Sequence, residues 1–327
     1  MERNILIDLA TDLAKGSVAN YSVEEANEKL REALNKLTGT DGKFDPKKFR
    51  RNKHEVFEIL EEVVDVRVEE GIKNQFDRFV DYRSVAFGDK LQFRPETDEL
   101  FEVAKIAGGT NNLRRQRIHQ YETYQIDTEW NGVKIYEELE RFLSGRVDWV
   151  KLIDKIERSF QIEITNDIFT AIKAAYNGLT SPYKVSGSFD PDDFNELVEH
   201  IRAQTGMTPM VIGTRLAVQK AVPQYISDDM KDERNKDGYF KMVDGITFGI
   251  IPQAHKIGTD EFAIDNNFLL VLPNGNEKIV KFVMEGEALI KEVLGQHNAD
   301  DTQEYTVRKK YGVGVERAAH YGVYILA

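Results

Sequence analysis

Six histidines, His54, His119, His200, His255, His297 and His320, are the obvious candidates for metal or acid–base chemistry. No two of them stand at i, i+4, and no His-Glu-x-x-His occurs. A zinc site needs three or four converging ligands, so these read as surface or partly buried histidines. There is no cysteine, which removes thiolate ligands, disulfides and cysteine nucleophiles. No Gly-x-Ser-x-Gly elbow and no glycine-rich phosphate loop ending in lysine is present. The stretch Glu233 to Asp244 half-matches a calcium loop, with oxygen-bearing side chains at the first, third and fifth places and Gly238 sixth. Its first ligand is Glu instead of Asp, its last is Asp instead of a bidentate Glu, and a strand-like pattern follows. The plainer reading is an acidic solvated loop carrying Asp228, Asp229, Asp232, Glu233 and Asp237. The residues therefore offer no matched catalytic set, and no cofactor or metal is expected.

Two other groups suggest contact chemistry. Arg114, Arg115 and Arg117 read as the only dense basic cluster, with His119 beside it, and Glu96, Asp98, Glu99 and Glu102 lie on the opposite side of a turn. Complementary charge on one ribbon suggests ion pairs, either within it or across to a neighbour. A plain solvated surface is the alternative, and nucleic-acid binding is disfavoured because no wider basic face accompanies the cluster. Phe87, Phe93, Phe101, Tyr121, Tyr124 and Trp130 are many aromatics for a thin ribbon. An uncovered aromatic face is an interface candidate. The alternative is a small extra sheet inside one subunit.

The elements that must position these groups follow from periodicity. The chain has 327 residues, 41% hydrophobic and 31% charged, enough for about two domains of ~150 residues. Residues 1–82 read as helical. Ser22 and Glu25 have capping-box spacing, and Val23, Ala26, Leu30, Leu34 and Leu37 recur along one face up to Gly39. A second periodic run, Glu55 to about Val80, has Gly71 as a candidate break. Residues 83–136 switch to period two, as at Leu91 and Phe93, Phe101 and Val103, and 121–128, with turn signals at Gly108-Gly109 and Asn131-Gly132. An isolated two-stranded excursion is marginal in water and needs a second surface. Residues 145–177 give the longest helix pattern, roughly 50 Å at ~1.5 Å per residue. From 179 onward helices and strands mix: helices behind Asp190-Pro191 and Thr214, a short helix over 287–294, and strands near 210–212, 245–251, 268–272, 278–284, 305–311, 313–317 and 321–326. No run approaches the ~20 apolar residues of a membrane span, and residues 1–10 lack the pattern of a signal peptide. The net charge of −12 disfavours a tight grip on nucleic acid but not its enclosure.

This order of elements resembles the major capsid protein family of tailed double-stranded-DNA bacteriophages, the Hong Kong 97-type fold. The likeness is strongest in Asp244-Gly245-Ile246-Thr247-Phe248-Gly249-Ile250-Ile251-Pro252, in Phe268-Leu269-Leu270-Val271-Leu272-Pro273, and in the closing run from Tyr311-Gly312-Val313-Gly314-Val315 to Tyr321-Gly322-Val323-Tyr324-Ile325-Leu326. The resemblance implies an α+β capsid fold with four parts. Residues 1–82 would be an N-terminal helical arm and 83–136 an extended hairpin loop lying on an adjacent subunit. Residues 137–185 would form a peripheral domain with a spine helix, completed by later strands, and 186–327 an axial domain. Glu96, Asp98, Phe101, Arg114, Arg115, Arg117, Tyr121, Tyr124 and Trp130 would be inter-subunit contacts, and the acidic 228–237 segment would lie toward the axis. It further implies a non-enzymatic virion protein, made in the host bacterial cytoplasm, that assembles with itself as hexamers and pentamers around double-stranded DNA. Scaffolding, portal and decoration proteins are further implied partners. Some members form covalent Lys–Asn cross-links, but no catalytic carboxylate adjoins Lys105 near the turn, and none is expected here. The competing readings are an encapsulin-like compartment of the same fold, a metal-dependent hydrolase using the carboxylates of 228–244, and a scaffold or tail component.

Overall fold

The protein is described from a computed structural model, which covers residues 23–40, 43–94, 101–106, 108, 113–116, 123–137, 149–223, 225–274, 278–293, 303–316 and 320–327. Six helices are described: α1 (Val23–Thr38), α2 (Pro46–Phe76), α3 (Trp149–Asn177), α4 (Pro191–Thr205), α5 (Arg215–Lys220) and α6 (Asp228–Asp237). The strands are β1 (Gly39–Thr40), β2 (Lys43–Phe44), β3 (Val80–Val85), β4 (Gln92–Phe93), β5 (Tyr124–Gln125), β6 (Glu129–Glu137), β7 (Lys184–Gly187), β8 (Pro209–Thr214), β9 (Met242–Val243), β10 (Ile246–Ile251), β11 (Phe268–Pro273), β12 (Val280–Val293), β13 (Gln303–Val315) and β14 (Gly322–Leu326). They gather into two compact units, each assembled from separate stretches of chain.

The first unit takes residues 1–89, 127–165 and 282–313. Its sheet has the order β3-β12-β13-β6, with β13 and β6 antiparallel from Gln303↔Glu137 to Tyr311↔Glu129. Val56, Ile59, Leu60, Val63, Val64, Val68, Ile72 and Phe76 of α2 are buried at helical spacing. Ile153, Ile156 and Phe160 of α3 and Phe282, Tyr305 and Val307 of the sheet are buried in the same unit. Each fully buried aliphatic side chain of this kind contributes about 1.5–3 kcal/mol. Helix α2 begins well before the apolar recurrence at Val56, because Asp45 caps it: its Oδ1 accepts from Lys47 N at 2.9 Å and Lys48 N at 3.4 Å, and Pro46 supplies the first turn. No break occurs at Gly71. The side chain of Gln161 lies where a Cβ of residue 71 would stand, so the glycine there serves helix approach.

Three further expectations in this unit give way. Residues 287–293 are strand, not helix, although Glu, Ala, Leu and Lys favour helix. Their backbone is held by pairing and by α2: Ala288 N donates to Asp65 Oδ2 at 2.6 Å, and Ile290 N donates to Glu61 Oε1. The two strands expected over 305–317 are one, β13. Asn131-Gly132 is no turn. It sits within β6, where Gly132 faces Arg308 and a Cβ would meet Arg308 Cγ and Val307 O at 3.0 Å.

The second unit takes residues 90–126, 166–281 and 314–327. Its mixed sheet has the order β7-β14-β11-β8-β10-β9. Strands β8 and β10 run parallel, as do β14 and β7, while β11 is antiparallel to both β8 and β14. The apolar run of β11, from Phe268 to Leu272, is buried throughout, as expected of a strand covered on both faces. Phe268 meets Phe169 and Tyr176 of α3 at 6.0 and 5.9 Å, and Phe194, Leu197, Val198 and Ile201 of α4 belong to the core. Asp190 caps α4, Gly206 ends it, and Thr214 caps α5 through Ala217 N, all as the sequence suggests.

Candidate assembly surfaces

Among the described residues of the 90–126 ribbon, two-stranded pairing is brief. Its described ladder is Gln92↔Gln125 and Phe93↔Tyr124, and residues 101–106 are not strand despite their alternation. Period two in a ribbon without a long partner strand does not suffice to make a sheet. The base of the ribbon is firmly tied. The Phe93 and Tyr124 rings stack at 5.5 Å, Tyr124 Oη donates to Glu316 Oε2 at 2.8 Å, and Glu316 N donates to Ile279 O at 2.7 Å. Tyr124 is thus an anchor inside its own unit. Further out, the Gln116 amide accepts from Glu102 N at 2.7 Å and donates to Glu102 O at 2.8 Å, taking the place of ladder bonds. Phe101, just before that clasp, and Val103, Ile106 and Leu113, beyond it, are exposed, Val103 to 93%. Arg114 and Arg115 are exposed too. Glu96, Asp98, Arg117 and Tyr121 lie outside the described residues.

Trp130 belongs to the first unit, on β6. It stacks on Phe87 at 5.8 Å and 25°, and the pair is half exposed, 49% and 48%. Buried Glu285 fixes the turn that carries Phe87. It accepts from Lys310 Nζ at 2.7 Å, from Thr128 Oγ1, and from Gly88 N at 2.9 Å. These bonds, led by the one from Lys310, bring its carboxyl down to about 2. Tyr136, six residues on and therefore on the same face of β6, is also exposed. A cavity of about 30 Å³ in this unit is lined by Phe57, Leu60, Val64, Ile153, Tyr305 and Val307 among others, none of them charged.

The expected acidic loop is a helix. Ser227 Oγ accepts from Met230 N at 3.3 Å and caps α6, and Gly238 ends it in the left-handed conformation with φ 83°. Asp228 and Asp229 lie in its first turn, Arg234 and Lys236 in its last, as the helix dipole favours. None of its residues is buried, so it has no apolar stripe by which periodicity could find it, though the Ser and Gly caps were legible. With Glu233 to Asp237 helical, the half-matched calcium loop is not formed, and among the described residues no three His, Cys, Asp or Glu gather as a metal site.

One set of charges was passed over in the sequence. Lys47, Arg50, Arg51 and His54 are exposed along the start of α2. The signal was a local excess of Lys and Arg in an acidic chain, hidden because the helix was expected to start later.

The model of a family described as "SPbeta prophage-derived putative capsid protein YonB" matches residues 5–324. Among solved structures, the mature capsid of bacteriophage PhiM1 is similar at 12% identity and TM-score 0.52, covering 77% of this chain and 86% of that one. The capsid of an empty GTA particle is similar at 13% identity and TM-score 0.50, covering 79% and 89%. No curated protein matches the sequence. At such identity the structural likeness carries the fold.

Proposed function

From the premise that this chain belongs to the SPbeta prophage-derived capsid protein YonB family, we propose that its exposed ribbon and aromatic face are completed by neighbouring copies in a closed shell. The fold is the Hong Kong 97-type capsid fold, and the protein is a major capsid protein, a self-assembling structural component of a virion. We read the arrangement within the shell as follows. Residues 1–82 form the arm and 83–136 the extended loop. The 137–185 region with its spine helix, joined by later strands, forms the peripheral domain, and 186–327 the axial domain. Helix α6, with exposed Tyr225 and Ile226 just before it, faces the axis of hexamers and pentamers. The shell encloses double-stranded DNA, engages scaffolding, portal and decoration proteins, and performs no catalysis.

The observation that carries this reading is the contrast within the ribbon. Its base is fixed by Phe93, Tyr124 and Glu316, while Phe101, Val103, Ile106 and Leu113 are held out in solvent. Ordering a segment costs about 1–2 kcal/mol per residue, which exposed apolar groups do not offset until something covers them. In a closed lattice the same contact repeats, so modest contacts suffice. Deleting residues 96–118 leaves the base ladder intact. The expected result is a folded chain that forms no shells by negative-stain electron microscopy, and normal shells would refute the role of the ribbon. Particles of the full chain are expected to hold nucleic acid and no protein cargo, which separates this reading from an encapsulin-like compartment.

A further inference from the structure

Over residues 36–54 the chain carries seven basic and two acidic residues, a net +5 within a total of −12, which leaves −17 for the remainder. Helix α2 sorts these charges by face. Phe49 is buried, and Lys48 Nζ donates to Gly39 O at 2.8 Å. Lys47, Arg50, Arg51 and His54 are exposed, at i, i+3, i+4 and i+7, and so form one stripe. No ion pair joins these four side chains to another described residue. The first turn of α2 contains no acidic residue. Cations at this end oppose the helix dipole, so the stability of α2 does not explain them. Nor does an apolar anchor accompany them: among the described residues between 45 and 60 no large hydrophobic side chain is exposed. A protein partner would ordinarily find such an anchor at the centre of its footprint.

We propose that the stripe Lys47, Arg50, Arg51 and His54 binds the phosphate backbone of double-stranded DNA held inside the shell. The proposal rests on the reading of the chain as the wall of a DNA-filled particle. Seven residues of helix rise about 10 Å at ~1.5 Å each. One DNA strand presents a phosphate about every 3.4 Å of axis, so the stripe faces roughly three phosphates. Such contacts carry no sequence preference. Each subunit then offers the enclosed duplex one discrete anchor.

The test uses the full chain and a labelled random-sequence DNA duplex, titrated by fluorescence anisotropy over a range of NaCl concentrations. The variant Lys47→Gln/Arg50→Gln/Arg51→Gln is compared with Arg202→Gln/Lys231→Gln/Lys256→Gln. The second set removes the same charge at exposed sites that are already ion-paired. The expected result is a slope of log affinity against log salt that is shallower by about 2 to 3 in the first variant only. Equal slopes in all three proteins would overturn the proposal. So would tighter binding of poly-glutamate than of DNA at matched charge, which would assign the stripe to an acidic protein. Electron microscopy of the same preparations separates this outcome from failure of the shell reading: no particles from the unmodified chain counts against the shell, and particles with unchanged slopes count against the stripe alone.

Discussion

Lys309 has no exposed surface, and its ammonium meets Asp65 Oδ1 inside the first unit. Burial lowers its pKa, and Asp65 opposes that shift. Asp65 also accepts from Ala288 N, so one carboxylate serves a buried cation and a strand backbone. Asp65→Ala is therefore expected to cost about 3–5 kcal/mol in urea unfolding, because it strands a buried charge. Asp65→Asn combined with Lys309→Met removes both charges and keeps an acceptor for Ala288, and should recover most of that loss. Glu285 gives the pH dependence. Its folded pKa, about 2, lies below the ordinary carboxylate value of about 4.3. Its contribution is then fully present above about pH 5 and is lost as pH falls toward the folded value. The urea midpoint of the unmodified protein should approach that of Glu285→Gln over this window, and a constant gap down to pH 2 would contradict the role given to Lys310.

At the scale of elements, α2 both fills the core of the first unit and closes the side of β12. Glu61, one turn before Asp65, receives Ile290 N, and burial raises its pKa. A strand edge left open is a template for unwanted pairing, and a carboxylate ladder from a helix closes it. Glu61→Gln retains an acceptor and should stay within about 0.5 kcal/mol of the parent. Glu61→Leu leaves a backbone N–H unsatisfied and should cost about 1–3 kcal/mol, with faster hydrogen exchange at Ile290. The second unit treats its exposed helix differently. Helix α6 has caps and end charges but no fully buried side chain; Met230 packs, partly buried, against the core, and the rest of the helix is available for contacts.

For the whole molecule, the charge of −12 means that assembling copies repel. Raising NaCl from about 50 to about 200 mM shortens the screening length from roughly 14 to 7 Å. Shell formation followed by light scattering should therefore accelerate. Slower assembly at the higher salt would show that ion pairs across subunits, such as those available to Arg114 and Arg115, outweigh the repulsion.

Local rules in the sequence settled the capped helices and the apolar strands. Asp190-Pro191, Thr214 and Gly206 bound elements by backbone chemistry that needs no distant partner, and Phe268 to Leu272 is too apolar to lie anywhere but inside a sheet. The element order was enough to reveal the capsid likeness. Other features depended on residues far away in the chain. Residues 287–293 became strand because α2 carboxylates and β13 take their backbone, and Gly71, a candidate break, instead leaves room for Gln161 beside an unbroken helix. Tyr124 proved an internal anchor because Glu316, 192 residues on, accepts its hydroxyl, while Phe101 and Val103 stayed in solvent. Periodicity reports which face of an element is apolar, and only the tertiary structure decides what covers it.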